Sequence, residues 1–335
     1  MKKLFISIIA CLFICIGLSA QDLHYSQFYM APLTTNPAYT GFFDGDYRVG
    51  INFKNQWTGF TNGYNTFSAF GDVGVLRGKS SWLGLGINAA GDRAGDGRLT
   101  TIKLGGSLAY HLSLLSDNQL LISAGFGGWV VQKSFDPTNL YFDSQWVGNG
   151  FDNVNLPNNE NFATENISYT TIDVGLTVTY TLSEVVDIYG SGSVVNLNRP
   201  EESFYDLDPN SRDLKMFYEL GSNFYAGAST IEPGILWKNE RGANEYLAGF
   251  NIAIGMGGLS YYDDAPKFIF GGWYRVQDAF IPVVGAEMFN TRALLSYDIN
   301  ASELSAGSNG RGGFELSIIY IGETQPKRKI HCPKF

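Results

Sequence analysis

Between Tyr47 and Gln56 apolar and polar residues alternate without a break: Tyr47, Val49, Ile51 and Phe53 against Arg48, Gly50, Asn52, Lys54 and Gln56. A period of two describes a strand with one apolar face and one polar face. In a soluble sandwich the polar face meets water and the apolar face meets a second sheet. In an outer-membrane barrel the apolar face meets lipid and the polar face a wet lumen. One strand admits both readings.

The pattern recurs down the chain. After 46–56 it returns at 65–74, 81–91, 99–112, 119–132, 167–180, 185–196, 215–227, 230–237, 245–256, 267–276, 280–289, 292–299 and 313–321. Strands that cross a bilayer run to about 9–11 residues, whereas globular strands average about 5–6. No apolar run after Leu18 approaches the roughly 20 residues of a membrane helix. Aromatic residues make up 15% of the chain and glycines number 40, both high for alternating segments. The expected fold is all-β: one antiparallel transmembrane barrel of about fourteen strands spanning 46–321, with an ordered N-terminal lead-in and long extracellular loops.

Connection lengths sort in the same direction. Bacterial barrels keep both termini in the periplasm, with short turns inside and longer loops outside. If 46–56 runs outward, the long connections 133–166, 197–214, 238–244 and 300–312 are all external, and 181–184 is an internal turn. The connection 257–266 is longer than an internal turn should be.

Residues 1–20 combine Lys2 and Lys3 with an apolar run from Leu4 to Leu18 and Ser19-Ala20 before Gln21, the layout of a secretory signal peptide. Ile14 before Cys15, and Cys11 early in the apolar run, argue against a lipoprotein. Cleavage leaves Cys332 as the lone thiol, so no internal disulfide forms. It also leaves 21 Lys and Arg against 32 Asp and Glu, an acidic balance that argues against nucleic acid as a partner.

The lead-in, 21–45, has no sustained period, and Pro32 and Pro37 exclude a helix interior or a central strand. Tyr25, Phe28, Tyr29 and Tyr39 are anchors that would pack it against the barrel as a plug. Several short pieces in fixed order, Ser26-Gln27-Phe28, Asn36-Pro37-Ala38, Gly41, Arg48 and Asn55-Gln56-Trp57, resemble the start of the PorP/SprF family. Later pieces do too: 190–200 (GSGSVVNLNRP), 271–275 (GGWYR), Tyr297-Asp298 and 313–320 (GFELSIIY). The resemblance spans nearly the whole mature chain. It implies an outer-membrane component of the type IX secretion and gliding apparatus of a Gram-negative, Bacteroidetes-like cell, reached by Sec-dependent export. It further implies capture of an exported adhesin or other type IX cargo at the surface, and coupling to periplasmic PorK/PorN-like ring proteins. The alternative from a different class is an independent channel for small or hydrophobic nutrients. Leu121, Trp129, Ile269 and Trp273 fall on the nominal lumen face and argue for a filled interior. The closing strand, Arg311-x-Gly313-x-x-Leu316-x-Ile318 with Tyr320, resembles the signal read by the barrel-insertion machinery.

Chemistry finds little support. His24, His111 and His331 share no metal-ligand or triad spacing, and His111 beside Ser113 is the one local pair a surface hydrolase could use. Gly84-x-Gly86-x-x-Ala89 lies inside a strand, where a dinucleotide fingerprint has no meaning. Asp92, Asp96, Asp206 and Asp208 lack a full calcium ligand series. No cofactor is expected, and the six tryptophans are read as mostly an interfacial girdle. Candidate partner residues are the loop aromatics Tyr141, Phe142, Trp146, Phe151, Phe204 and Tyr205, which combine with acidic neighbours, and the basic tail 322–335 with Lys327, Arg328 and Lys329.

Overall fold

The computed structural model describes residues 25–57, 62–115, 119–160, 162–205, 210–256, 265–302 and 305–324. Fourteen strands close into one antiparallel barrel. They are β1 Tyr47–Gln56, β2 Tyr64–Val75, β3 Ser81–Ala94, β4 Leu99–Leu114, β5 Leu120–Ser134, β6 Asn166–Ser183, β7 Val186–Val195, β8 Lys215–Ala226, β9 Ser229–Glu240, β10 Ala243–Gly255, β11 Lys267–Arg275, β12 Ala279–Met288, β13 Thr291–Asn300 and β14 Arg311–Gly322. Each strand pairs with its sequence neighbours, and β1 closes on β14 from Tyr47 opposite Gly322 to Gln56 opposite Gly313. Closure leaves no free strand edge, which is the condition for a sheet to cross hydrocarbon.

The alternation of β1 resolves inside out. Val49 and Ile51 are each 46% exposed, while Asn52 is fully buried and Lys54 is 2% exposed in its side chain. Apolar side chains from every strand cover the outer wall, among them Ile87, Leu104, Leu176, Leu220, Phe270 and Val284. Polar and ionic side chains fill the inside. At the outer end of the wall Trp237 stacks on Tyr218 (centroids 4.9 Å) and Tyr246 (6.1 Å), and at the inner end Tyr47 meets Tyr320 (6.0 Å). These are the two aromatic belts of a membrane barrel.

The girdle reading fails for Trp82, while Trp129 and Trp273 lie on the lumen face that alternation gives them. All three point into the lumen, where their indole N–H groups donate to Gly41 O (2.9 Å), Asp173 Oδ2 (2.8 Å) and Asn251 Oδ1 (3.2 Å). A position near a strand end does not tell which face a tryptophan is on; the register does.

The long connections β5–β6 and β7–β8 fall at one end, together with the outer ends of all strands, and the turns β6–β7, β8–β9 and β12–β13 at the other. The connection β10–β11 lies mostly outside the described residues, as do 1–24 and 325–335. Beyond the barrel, the regular elements among the described residues are short helical turns, including α1 (Pro32–Thr35) and α2 (Ser305–Ser308).

Candidate functional site

The lumen is occupied by the chain's own lead-in. From Tyr25 to Gly41 every residue except Thr34 is buried, although this segment has no strand partner. It satisfies its backbone through local turns and through side chains of the wall, which is the only route left when ladder bonds are absent.

At its outer end Ser26 sits in a cluster of four buried charges. Its Oγ donates to Asp298 (2.8 Å) and accepts from Lys54 Nζ (2.8 Å) and Arg275 Nη2 (2.6 Å). The backbone N–H groups of Ser26 and Gln27 donate to the two oxygens of Glu315 at 2.8 and 2.9 Å. Lys54 lies 3.3 Å from Asp298 and 3.7 Å from Glu315, and Arg275 3.0 Å from Asp298. Two cations thus face two carboxylates, and the lead-in supplies the hydrogen bonds that complete the carboxylates' shells. Buried charges persist only when paired and hydrogen-bonded in this way.

Next come the aromatic anchors. Phe28 meets Trp273 edge-on (5.3 Å) and Tyr29 stacks on it (5.2 Å), over a floor that includes Ile269, Ile281 and Leu294. Asn36-Pro37-Ala38 then forms a tight turn. Asn36 Oδ1 caps it by accepting from Ala38 N (2.8 Å), Pro37 begins it, and Asn36 Nδ2 reaches across to Leu176 O of β6 (3.1 Å). The wall opposite is stripped of side chains. A Cβ on Gly125 would lie 2.3 Å from Ala38 N, and one on Gly175 would lie 1.9 Å from Asn36 Oδ1. At the inner end Gly41 has a φ of +72° and packs so tightly that its own Cβ would fall 2.5 Å from Gly84 Cα. Its N–H donates to Asp72 (2.7 Å), which also holds Arg48, and Arg48 Nη2 donates back to Tyr39 O (2.9 Å).

Sequence motif and structure coincide here. Ser26, Gln27, Asn36, Pro37, Ala38, Gly41 and Arg48 are the residues that pin the lead-in to the wall. Gln56 ends β1 with its side chain inward, and Trp57, at φ +61°, turns the chain out with its N–H on Gly312 O (2.8 Å). The Gly84–Ala89 stretch belongs to the same seat. His111 is part of it too, one ring nitrogen 2.7 Å from Ser123 Oγ and the other 2.8 Å from Thr40 O, with Trp82 stacked at 4.6 Å. The expected partner Ser113 is not the residue it meets. Alternation puts both on one face, but the cross-strand register brings Ser123 to His111. Both ring nitrogens are engaged inside the wall, an arrangement that clamps the lead-in.

The other candidates sit at the outer end. The β5–β6 loop folds into two aromatic groups. Phe135, Phe142 and Phe162 pack with Phe204 and Tyr205 of the β7–β8 loop at 4.7–6.1 Å, and Ala163 N donates to Phe204 O (2.9 Å). Beyond them Val147–Gly150 makes a tight turn that brings Trp146 against Phe151 (5.0 Å), with Tyr141 beside it (5.3 Å). Tyr141 is 62% exposed, and Trp146, Val147, Phe151 and Val154 are also open. The loops are tied down by Glu202, whose carboxylate takes Lys133, Arg212 and the Tyr169 hydroxyl. Burial alone would raise Glu202; Lys133 and Arg212 outweigh it and hold the carboxyl below its usual range. Thus Phe142 and Phe204 are half-buried in the loop core, Tyr205 packs on Phe162 at its exposed edge, and Tyr141, Trp146 and Phe151 form a projecting apolar tip.

Asp96 accepts from Asn62, and Asp92 from Thr66 (2.6 Å); no group of three or more metal-ligating side chains occurs among the described residues. His24, His331, Asp206, Asp208, Lys327, Arg328 and Lys329 lie outside them.

The model of the type IX secretion system membrane protein PorP/SprF family matches residues 17–320. The chain belongs to the PorP/SprF family. It is accordingly an outer-membrane component of type IX secretion, which is how a barrel with an apolar outer wall reads. No curated protein sequence matches the chain significantly. Among solved structures, the Pseudomonas putida toluene transporter TodX is similar in fold, with 10% identity over 86% of this chain and 92% of that one and a TM-score of 0.51. A Pseudomonas aeruginosa FadL homologue shows 12% identity over 85% and 92%, with a TM-score of 0.46.

Proposed function

We propose that this PorP/SprF protein is a closed, non-enzymatic anchor that holds an exported surface protein at its outer loops and couples to periplasmic ring proteins of the PorK/PorN type at its inner end. The observation that supports it most is the filled lumen. A barrel whose interior is occupied by its own chain, bonded at the outer, middle and inner levels, offers little to a passing solute and much to a partner at its rims. The tip of Tyr141, Trp146 and Phe151 has the exposed aromatics of a binding centre, and the acidic, polar loop around it forms a rim suited to a basic or amphipathic partner. The basic tail with Lys327, Arg328 and Lys329 is assigned to the periplasmic side by strand parity.

The test is recovery of partners from native membranes. Replacing Tyr141, Trp146 and Phe151 by Ala should remove the surface cargo from the purified protein and leave ring proteins bound. Deleting 326–335 should do the reverse. Wild-type cargo recovery from the triple variant would overturn the outer half of the proposal, and unchanged ring recovery after the tail deletion the inner half.

A further inference from the structure

The short turns at the two ends of the barrel differ in chemistry. At the outer end β3–β4 turns on Gly95-Asp96-Gly97-Arg98 and β9–β10 on Arg241-Gly242. At the inner end large apolar side chains stand open: Leu76 after β2, Leu115 after β4, Leu182 and Val185 at β6–β7, Met256 after β10 and Phe289 after β12. Leu76 is 78% and Phe289 86% exposed, more than Ile87 on the lipid-facing wall at 72%. Three of these residues also occupy backbone that does not suit them. Leu76, Leu115 and Phe289 have φ of +51°, +68° and +52°, a region that a Cβ disfavours and that Gly227 fills in the β8–β9 turn. Phe289-Asn290 is a two-residue hairpin turn with both φ positive, where Asn-Gly is the favoured pair. Turn geometry and water both argue against leucine and phenylalanine at these tips, so a covering partner accounts for them better than folding does.

Lipid covers them poorly. Headgroups reach about 5–8 Å beyond the hydrocarbon, and interfacial tyrosines mark their level. Leu115 lies five residues past Tyr110, the last outward-facing aromatic of β4. That is ~13 Å along the axis, at ~3.3 Å per residue and ~40° of tilt. The chain's own sequence beyond Thr324 has Ile330 and Phe335 as its large apolar residues, too few for six open side chains on the rim. A second copy in the same membrane turns its inner end the same way, so two such rims cannot face each other. What remains is a protein in the periplasm. Neighbouring inner turns, two strands apart, stand ~12 Å from one another, so one globular face spans several tips at once. Arg77 and Lys79 balance Glu184 and Glu323 beside them, which makes recognition there apolar rather than ionic.

We propose that the inner-turn tips form the docking face for a periplasmic protein that presents an apolar surface to them, with Leu76, Leu115 and Phe289 as its anchors. The folded rim and the basic tail then share one partner, each needed to hold it. The proposal rests on the functional reading above for which end faces the periplasm and for a partner there.

Recovery of the ring proteins with the full chain from native membranes tests it. Leu76→Asn, Leu115→Asn and Phe289→Asn are combined, because Asn suits a positive φ and the turns keep their shape. Val276→Asn in the outer β11–β12 turn is the control, and heat-modifiable migration reports folding. The expected result is a loss of ring proteins of about tenfold or more from the triple variant, the effect of removing interface anchors, and no loss from the control. Ring proteins held by the triple variant at the wild-type level would overturn the proposal and leave the functional reading standing. Ring proteins absent from the wild type would overturn both. Should the triple variant fold poorly, p-benzoylphenylalanine at Phe289 of the otherwise wild-type chain, photoactivated in cells, decides. An adduct with a ring protein supports the docking face, and adducts with lipid alone, or no adduct, overturn it.

Discussion

Arg48 donates to Asp72 through Nε at 3.0 Å and Nη2 at 2.8 Å, and neither side chain reaches solvent. Asp72 also holds Gly41 N, so the pair joins β1, β2 and the lead-in. Arg48→Ala would leave a buried carboxylate unpaired, a loss of about 3–5 kcal/mol, read from the denaturant midpoint of the detergent-purified protein. A loss under about 1 kcal/mol, the worth of a surface pair, would show that water reaches Asp72. Gly84 makes a second residue-scale case. A Cβ there would fall 1.9 Å from Thr40 O, whereas at Gly106 the nearest atom is 3.7 Å away. Gly84→Ala should free the lead-in to protease without unfolding the barrel, and Gly106→Ala should change nothing; equal protection of the two variants would contradict the seat. Glu202 gives the pH dependence. Its folded pKa is depressed, so the tether is complete above about pH 4.5, near the unfolded value, and is lost as pH falls through the lower folded value. Protease cleavage of the outer loops should therefore rise below pH 4.5 in the wild type, and Glu202→Gln should show the raised rate already at neutral pH. A wild-type rate flat down to pH 3 would contradict it.

At the scale of elements, the strands were legible because each has two unlike faces. Alternation located all fourteen, with boundaries that mostly fall within a few residues, since a lipid-facing row and a lumen-facing row leave a period of two wherever the wall is crossed. β6 runs on to Ser183 and β9 to Glu240, past the end of the alternation, because paired hairpin arms continue beyond the bilayer on hydrogen bonds alone. The lead-in was legible as a plug from its prolines and aromatic anchors. Its partners were not. Asn36 to Leu176, Tyr39 to Glu219 and Ser26 to Asp298 join positions far apart in sequence, and only closure of the barrel brings them together. For the same reason Trp82 read as interfacial, and His111 was matched with Ser113 rather than Ser123. In the outer loops composition identified the aromatics but not their division into a core shared with Phe204 and an exposed tip at Trp146. That division predicts different outcomes. Phe162→Ala should loosen both loops to protease, because it removes a ring packed on Phe135, Phe142 and Tyr205, while Trp146→Ala should leave protection unchanged; the opposite ranking would contradict it.

At the scale of the whole molecule, the barrel is filled by its own segment from Tyr25 to Gly41. The outer wall supplies lipid contact, the lumen supplies paired charges and stripped glycine positions, and the segment from Tyr25 to Gly41 fills the space between them. A lumen filled in this way supports the proposed work at the two rims, and the fold the chain shares with hydrocarbon channels need not bring their transport with it. The most direct test is electrical. Purified wild-type protein in planar bilayers should show no steady conductance, and a variant lacking 25–40 should conduct through the emptied lumen. Steady porin-sized currents from the wild type, unchanged by that deletion, would contradict the account.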